Sequence, residues 1–436
     1  MEEQAGGRQG RPVYVVDGCR TPFLKARGKP GPFAAADLAV AAGNPLLARQ
    51  PFSPADFDEV ILGCVMPSAN EANIARVVAL RLGCGERVPA WTVQRNCASG
   101  MQALDAAAGK IASGRSSLVL AGGVESMSHA PILFSAAMVN WLAAWNGART
   151  PRARLKVLSQ LRPAHLRPVI GLLRGLTDPV VGLTMGQTAE IIAHRFAISR
   201  DAMDRFALRS HQRLDNARRD GRLGEIEVIY DRHGGYYDHD DGVRADSTLE
   251  KLAGLGPVFD KPYGAVTAGN SAQVTDGAAW LILASEEAVS RHQLPVLGRL
   301  VDSQWAGLDP AQMGLGPVYA MAPLLRRHGL GSADIDYWEI NEAFAAQVLA
   351  CLAAWQDAGF CRDELGRDAP FDPIDEERLN VDGGAVGIGH PVGASGARIV
   401  LHLLQVLKRN NARRGIASLC IGGGQGGAML IERTTG

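Results

Sequence analysis

The run NCASGMQALDAAAGKIASG (96–114), followed at once by SSLVLAGG (116–123), decides the architecture. The first stretch is rich in Ala and Leu at helical spacing and stops at Gly114. The second is an unbroken apolar run that ends in glycines, as a buried strand does. Upstream, PVYVVDG (12–18), DEVILGCV (58–65) and WTVQR (91–95) read as short β-rich runs. Strand, helix and strand in alternation predict a parallel or mixed sheet with helices on its faces.

The same plan returns near the C-terminus. Gly393-Ala394-Ser395-Gly396 opens the helical run ARIVLHLLQVLKRN (397–410), and ASLCIGGG (417–424) is again a strand ending in glycines. The order "ASG, helix, strand, GG" thus occurs at 98–123 and at 394–424, which predicts two halves of like α/β fold. Residues 13–128 with 259–292 form the expected N-terminal half, and 293–436 the C-terminal half. Between them, 129–258 does not follow the plan. It holds Pro-, Arg- and Gly-rich stretches and the polar turn DRHGGYYDHDDG (231–242), and reads as an inserted loop domain.

Bulk properties narrow the function. A chain of 436 residues with 47% apolar content supports more than one core. Lys+Arg and Asp+Glu balance at 45 each, which argues against a general nucleic-acid binder. The 7 cysteines are odd in number and lack a CxxC pair, so neither a disulfide framework nor a zinc site is expected. Free thiols point to a reducing compartment, here a cytoplasmic location. Residues 1–12 carry two Glu and no apolar core, and read as a disordered arm, not a signal peptide. No run reaches 18 apolar residues.

Cys97 sits where a strand hands over to a helix. N–H groups and the helix dipole there favour thiolate, although a small buried Cys is the plainer reading. His390, between Gly389 and Pro391, is a possible proton acceptor or a loop His with local hydrogen bonds. Cys420 precedes glycines whose N–H groups suit an oxyanion hole, or is simply a core residue. Asn341-Glu342 at the end of IDYWEI caps a helix in its bland reading.

Taken together, NCASGMQAL, GGVESMS, TMGQTAE, TAGNSAQVTDGAA, NEAFA, GHPVGASGAR and CIGGGQGGA, in this order, closely resemble the thiolase family from about Val13 to Glu432. The resemblance implies a thiolase-like fold: two similar halves layered α-β-α-β-α with a loop domain over the site. It implies reversible cleavage of a 3-oxoacyl-CoA by CoA, giving acetyl-CoA and a shortened acyl-CoA. Cys97 would carry the acyl group, His390 would activate it, and Cys420 would exchange the α-carbon proton. One oxyanion hole would be His390 with a water held by Asn341, the other the N–H groups of Cys97 and Gly422. Met185, Phe259, Ser271, Ala272, Met313, Phe344 and Ser395 would meet CoA and the acyl group. No cofactor or metal is implied, since CoA and acyl-CoA are substrates.

ALRSHQ (207–212), DGVRADSTLE (241–250), LGPVYA (315–320), the long stretch at 351–379 and the insertion after Pro131 resemble the thiolase subunit of the fatty-acid β-oxidation multienzyme complex. That branch usually has His where this chain has Asn341. Thr184 stands where many short-chain members have His, and Ala272 where many have Ser. The implied assembly is a homodimer or homotetramer, or a complex with a hydratase/dehydrogenase chain. Other readings are an acetoacetyl-CoA-forming acetyltransferase, a decarboxylating condensing enzyme with one Cys and two His, and a non-catalytic lipid-carrier or structural subunit. Cys420 and NEAF (341–344) argue against the condensing enzyme, and the intact set Cys97, Asn341, His390 and Cys420 against the carrier.

The insert 132–180 is basic. From Ser126 to Thr177 there is no Asp or Glu, while Arg149, Arg152, Arg154, Lys156, Arg162, Arg167 and Arg174 alternate with apolar residues. Such a segment lies on an anionic membrane or an acidic partner, or covers the CoA tunnel. His233, Asp238, His239, Asp240 and Asp241 lack metal-ligand spacing and read as a solvated hairpin.

Overall fold

A computed structural model describes residues 10–434. Ten strands form one sheet: β1 (Tyr14–Arg20), β2 (Leu24–Lys25), β3 (Glu59–Gly63), β4 (Ala90–Val93), β5 (Leu118–Ser126), β6 (Thr275–Ala284), β7 (Gly298–Gly307), β8 (Tyr337–Ile340), β9 (Arg414–Ile421) and β10 (Gln425–Glu432). The order is β8-β9-β10-β7-β1-β6-β5-β3-β4, with β2 on β6. Only two register pairs, Tyr14↔Arg299 and Val15↔Gly298, join β1 to β7. The sheet is therefore two arms hinged at that seam. Each arm has a parallel outer pair (β3 with β4, β8 with β9) and an antiparallel return (β5 with β6, β9 with β10). These are the two like halves expected from the repeated motif.

Helices complete the layers. α1 (Ala35–Ala48) and α2 (Ile74–Arg81) cover the outer face of the N-terminal arm. α3 (Ser99–Ala112) and α10 (Val392–Arg409) lie against each other between the arms. α8 (Gly316–His328) and α9 (Ala345–Gln356) cover the outer face of the C-terminal arm. α10 is buried nearly all round, as a helix between two sheets must be. Its two central polar residues are paired. Arg398 meets Glu339 at 3.3 Å, and His402 lies 2.9 Å from Glu225 and 3.2 Å from Asp382. Burial alone would strip the His402 proton, but the Glu225 and Asp382 carboxylates outweigh it and hold the imidazolium up to about 10.

Residues 127–274 leave the sheet after β5 and rejoin it at β6. They carry α4 (Ala136–Gly147), α5 (Pro151–Leu158), α6 (Met185–Arg195) and α7 (Arg200–Arg219). The stretch 259–274, expected with the N-terminal half, runs along a cavity before the sheet resumes at Thr275. Asp240 corrects the solvated-hairpin expectation. It is buried and takes both Arg20 guanidinium nitrogens at 2.7 and 2.9 Å, tying the loop domain to β1. His233, Asp238 and His239 do stay at the surface. Of the arm expected over 1–12, residues 1–9 lie outside the described part. Arg11 donates its N–H to Ala112 O at 3.0 Å.

The crossing of α3 and α10 is lined by glycine because backbone meets backbone there. A Cβ on Gly123 would stand 2.0 Å from Gly393 O, one on Gly100 2.8 Å from Ala397 N, and one on Gly396 2.6 Å from Met101 N. Gly123→Ala must push β5 and α10 apart. The expected loss is at or above the ~1–3 kcal/mol of core overpacking, read as a lower urea midpoint, with a further loss of turnover in the protein that still folds.

Candidate active site

Four chain segments meet over the ends of α3 and α10. The first is the turn before α3. Asn96 has φ +43°, a left-handed conformation that Asn tolerates better than most side chains. Its Nδ2 donates to Gly422 O at 2.7 Å, and Ser99 Oγ donates to Asn96 O at 2.7 Å. These bonds present Cys97 to a cavity and tie its turn to the end of β9, which carries Cys420.

The Cys97 thiol corrects one expectation. Burial pushes its pKa up, and the Gly422 N–H and its own N–H oppose that only in part. The helix end does not ionise it, so Cys97 rests as a thiol and needs a base. His390 has the right form. Burial, helped by Arg398, lowers its pKa to about 4, so it is neutral at pH 7. Its Nδ1 lies 2.6 Å from Ser395 Oγ, and that hydroxyl donates to Pro391 O at 3.1 Å. A serine has one proton. Spent on Pro391, it leaves Oγ to accept from Nδ1–H, and the lone pair is then on Nε2. Nε2 is buried without a partner among the described residues, and His390 lines the same cavity as Cys97. Gly389, at φ +103°, permits this turn, since a Cβ there would sit 2.2 Å from Thr275 Cγ2.

Cys420 also faces the cavity. Burial first, then the Cys97 and Cys351 thiols, raise its pKa well above the usual value, so it too is protonated at rest. Asn341 is buried, and both ends of its carboxamide lack a partner among the described residues. A buried amide in that state calls for a water or a ligand. The adjoining Glu342 is structural: its carboxylate takes Ser210 Oγ at 2.6 Å, Asn380 Nδ2 at 2.9 Å and Val386 N at 3.2 Å.

The cavity has a volume of about 450 Å³ and largely apolar walls. Met185, Phe259, Ser271, Ala272, Met313 and Phe344 all line it with Cys97, His390 and Cys420. Ser395 does not. It stands behind His390, with its Oγ on Nδ1, and orients the ring. Ser271 turns its hydroxyl to Thr267 O at 2.6 Å. Thr184, on the wall, caps α6 through Gln187. Met127, Leu176 and Gln273 were not singled out from the sequence, yet they complete the wall.

Two protonated thiols and a neutral imidazole around a largely apolar cavity suit acyl transfer through a thioester with proton exchange at carbon. The comparisons agree with that class. Residues 13–287 match the model of the thiolase N-terminal domain and 294–433 that of the thiolase C-terminal domain. The chain belongs to the thiolase family, and is an acyltransferase. It is 38% identical over 424 residues to the mitochondrial trifunctional enzyme subunit beta of Bos taurus, covering 97% of this chain and 88% of that protein. It is 37% identical over 428 residues to a 3-ketoacyl-CoA thiolase of Yersinia enterocolitica, covering 98% of each. The crystal structure of the Bacillus anthracis acetyl-CoA acetyltransferase superposes with TM-score 0.84 at 37% identity, covering 98% of this chain and 100% of that one.

If Nε2 of His390 takes the Cys97 proton, His390→Ala should slow alkylation of Cys97 by iodoacetamide at pH 7.5 by ~10²-fold or more. The deficit should shrink toward pH 10, where hydroxide ionises the thiol unaided. An equal deficit at both pH values would deny His390 that role.

Proposed function

We propose that this thiolase shortens 3-oxoacyl-CoA chains in fatty-acid β-oxidation through an acyl-Cys97 intermediate. The observation that carries this reading is the meeting of Cys97, His390 and Cys420 on one cavity. Cys97 gives its proton to His390 Nε2, and its sulfur attacks C3 of the substrate. The C2–C3 bond breaks, its electron pair stays on C2, and Cys420 protonates that carbon as acetyl-CoA leaves. CoA then gives its thiol proton to the Cys420 thiolate and attacks the thioester. Cys97 departs as thiolate and recovers its proton from His390. Both thiols and the imidazole end as they began. The N–H groups of Cys97 and Gly422 are the donors for one oxyanion, and His390 with a water on Asn341 for the other.

Attack at C3 needs two ways out of Cys97, one for CoA and one for the tail beyond C3. A second, mostly apolar cavity of about 230 Å³ also reaches Cys97, from the side of Val65, Met66, Leu172, Gly175 and Gly422. A dry protein cavity of about 150 Å³ holds benzene, so this one has room for more than six carbons. It reaches the surface at Val180, which is 81% exposed. This favours tails longer than that of acetoacetyl-CoA, and so degradation over acetoacetyl-CoA formation. A Cβ on Gly175 would meet only Met66 Sδ, at 3.7 Å, so a larger side chain there fills the cavity. In a CoA-dependent cleavage series from C4 to C16, wild type should prefer the longer chains. Gly175→Leu should lose ~10-fold or more on C12 to C16 and keep C4 cleavage, consistent with ~1–3 kcal/mol of lost tail binding. No cleavage by wild type at any length would remove the enzyme reading and favour a carrier or structural subunit.

The insert supports a second part of the proposal. Its early part stands off the core: α4 and α5 bury no residue, and Ile132, Phe134 and Leu155 are 72%, 64% and 68% exposed. Its end, Leu172 to Val180, walls the cavities. The covering reading thus fits the end, and the docking reading the beginning. We propose that 132–170 rests on an anionic membrane surface, with a hydratase/dehydrogenase chain as the alternative occupant. A cytoplasmic place suits the seven unpaired cysteines, and a homodimer or homotetramer the family. Wild type should sediment with anionic vesicles at low salt, and a variant with Arg149, Arg152, Arg154 and Lys156 reversed to Glu should not. Equal sedimentation would move the contact elsewhere.

A further inference from the structure

Glu125 lies near the end of β5, fully buried, in the apolar run LVLAGGVES (118–126). Its Oε2 accepts the N–H of Val65 at 2.9 Å and of Gly393 at 3.1 Å, and its Oε1 the N–H of Met66 at 3.0 Å. Cys64 Sγ is 3.7 Å from Oε1. Gly393 is the second residue of α10, three beyond His390. Val65 and Met66 wall the cavity at Cys97. The three segments are in contact: a Cβ on Gly393 would stand 2.3 Å from Val124 O, 2.7 Å from Glu125 Oε2 and 3.2 Å from the Cα of Cys64.

We infer that Glu125 is a positioning residue for the thiolase reaction, a carboxylate bracket that holds the His390 turn and the 64–66 wall at fixed distance around Cys97. The inference rests on the roles proposed above for Cys97 and His390. A carboxylate is suited to this because three N–H donors converge and it alone presents acceptors on both oxygens. It also lies at the start of α10, where the helix dipole favours negative charge.

The bracket titrates. Burial, against the Val65, Met66 and Gly393 N–H groups, raises the carboxyl to about 7. The titratable groups facing it are Cys64, in the loop after β3, and Cys97, ahead of α3, and burial keeps both protonated. α10 faces it with the Gly393 N–H. A protonated carboxyl loses an acceptor, so the bracket holds above about pH 7 and loosens below. The acid limb of kcat/KM then belongs to Glu125, since burial holds His390 near 4.

The test compares kcat, KM and pH profiles of wild type, Glu125→Gln and Glu125→Asp in CoA-dependent cleavage. Wild type should lose activity as pH falls through 7. Glu125→Gln should lose ~10-fold in kcat with KM for CoA within ~2-fold, and its profile should be flat from pH 6 to 8. Glu125→Asp keeps a carboxylate but sets it back, so it should lose rate and keep the acid limb. If Gln does not fold, a retained limb in Asp at reduced kcat carries the inference. A Gln variant with wild-type kcat, or with reduced kcat but an unchanged acid limb, overturns it. Absence of thiolysis by wild type would overturn the functional proposal instead.

Discussion

The close crossing of α3 and α10 is the constraint on which the rest depends. Cys97 precedes one helix and His390 precedes the other. Each is held by its own turn, but their separation is set by how near the two helices pass. Gly100, Gly123, Gly393 and Gly396 let that passage occur at backbone contact. A side chain at Gly100 or Gly396 would spread the helices, and one at Gly123 or Gly393 would push α10 off β5; either parts base from nucleophile. The two arms of the sheet then press on the pair from both sides through a continuous apolar layer. Catalytic geometry and core packing are thus one requirement, so damage to the crossing shows in stability and turnover together.

Burial does two opposed things at this site. It suppresses ionisation of both thiols, which keeps them poised as proton donors. It also strips His390 of its proton and leaves Nε2 unpartnered. A solvated site would give a partly charged imidazole, a poorer acceptor. The apolar wall of Met185, Phe259, Met313 and Phe344 is therefore part of the acid–base apparatus as well as a surface for CoA.

Much of this was legible in the sequence because glycine and periodicity report backbone demands directly. The repeated "ASG, helix, strand, GG" marked both halves, and the strands and helices fall where those runs lie. Cys97, His390 and Cys420 converge as the family resemblance implied. What was not legible depends on distances between remote segments. The Cys97 environment combines helix end, burial and a neighbouring strand, and their balance cannot be summed from the local string. Ser395 was assigned to substrate because its motif does not show which way a hydroxyl on a first turn points. Asp240 seemed solvated because its partner, Arg20, lies 220 residues away. Glu125 did leave a trace: a lone carboxylate in an apolar strand run must find donors somewhere.

The excursion of 127–274 leaves from β5 and returns on β6, which are antiparallel neighbours with Ser126 opposite Asp276. Its two ends are pinned side by side whatever its length. Lengthening it costs only closure entropy, about 0.6 kcal/mol for each doubling, and leaves every strand register intact. The scaffold thus behaves as a socket. The chemistry is built on the turns before the two buried helices and on the ends of β8 and β9, while the segment that decides what the enzyme touches, inside at Leu172 to Val180 and outside at 132–170, is free to vary.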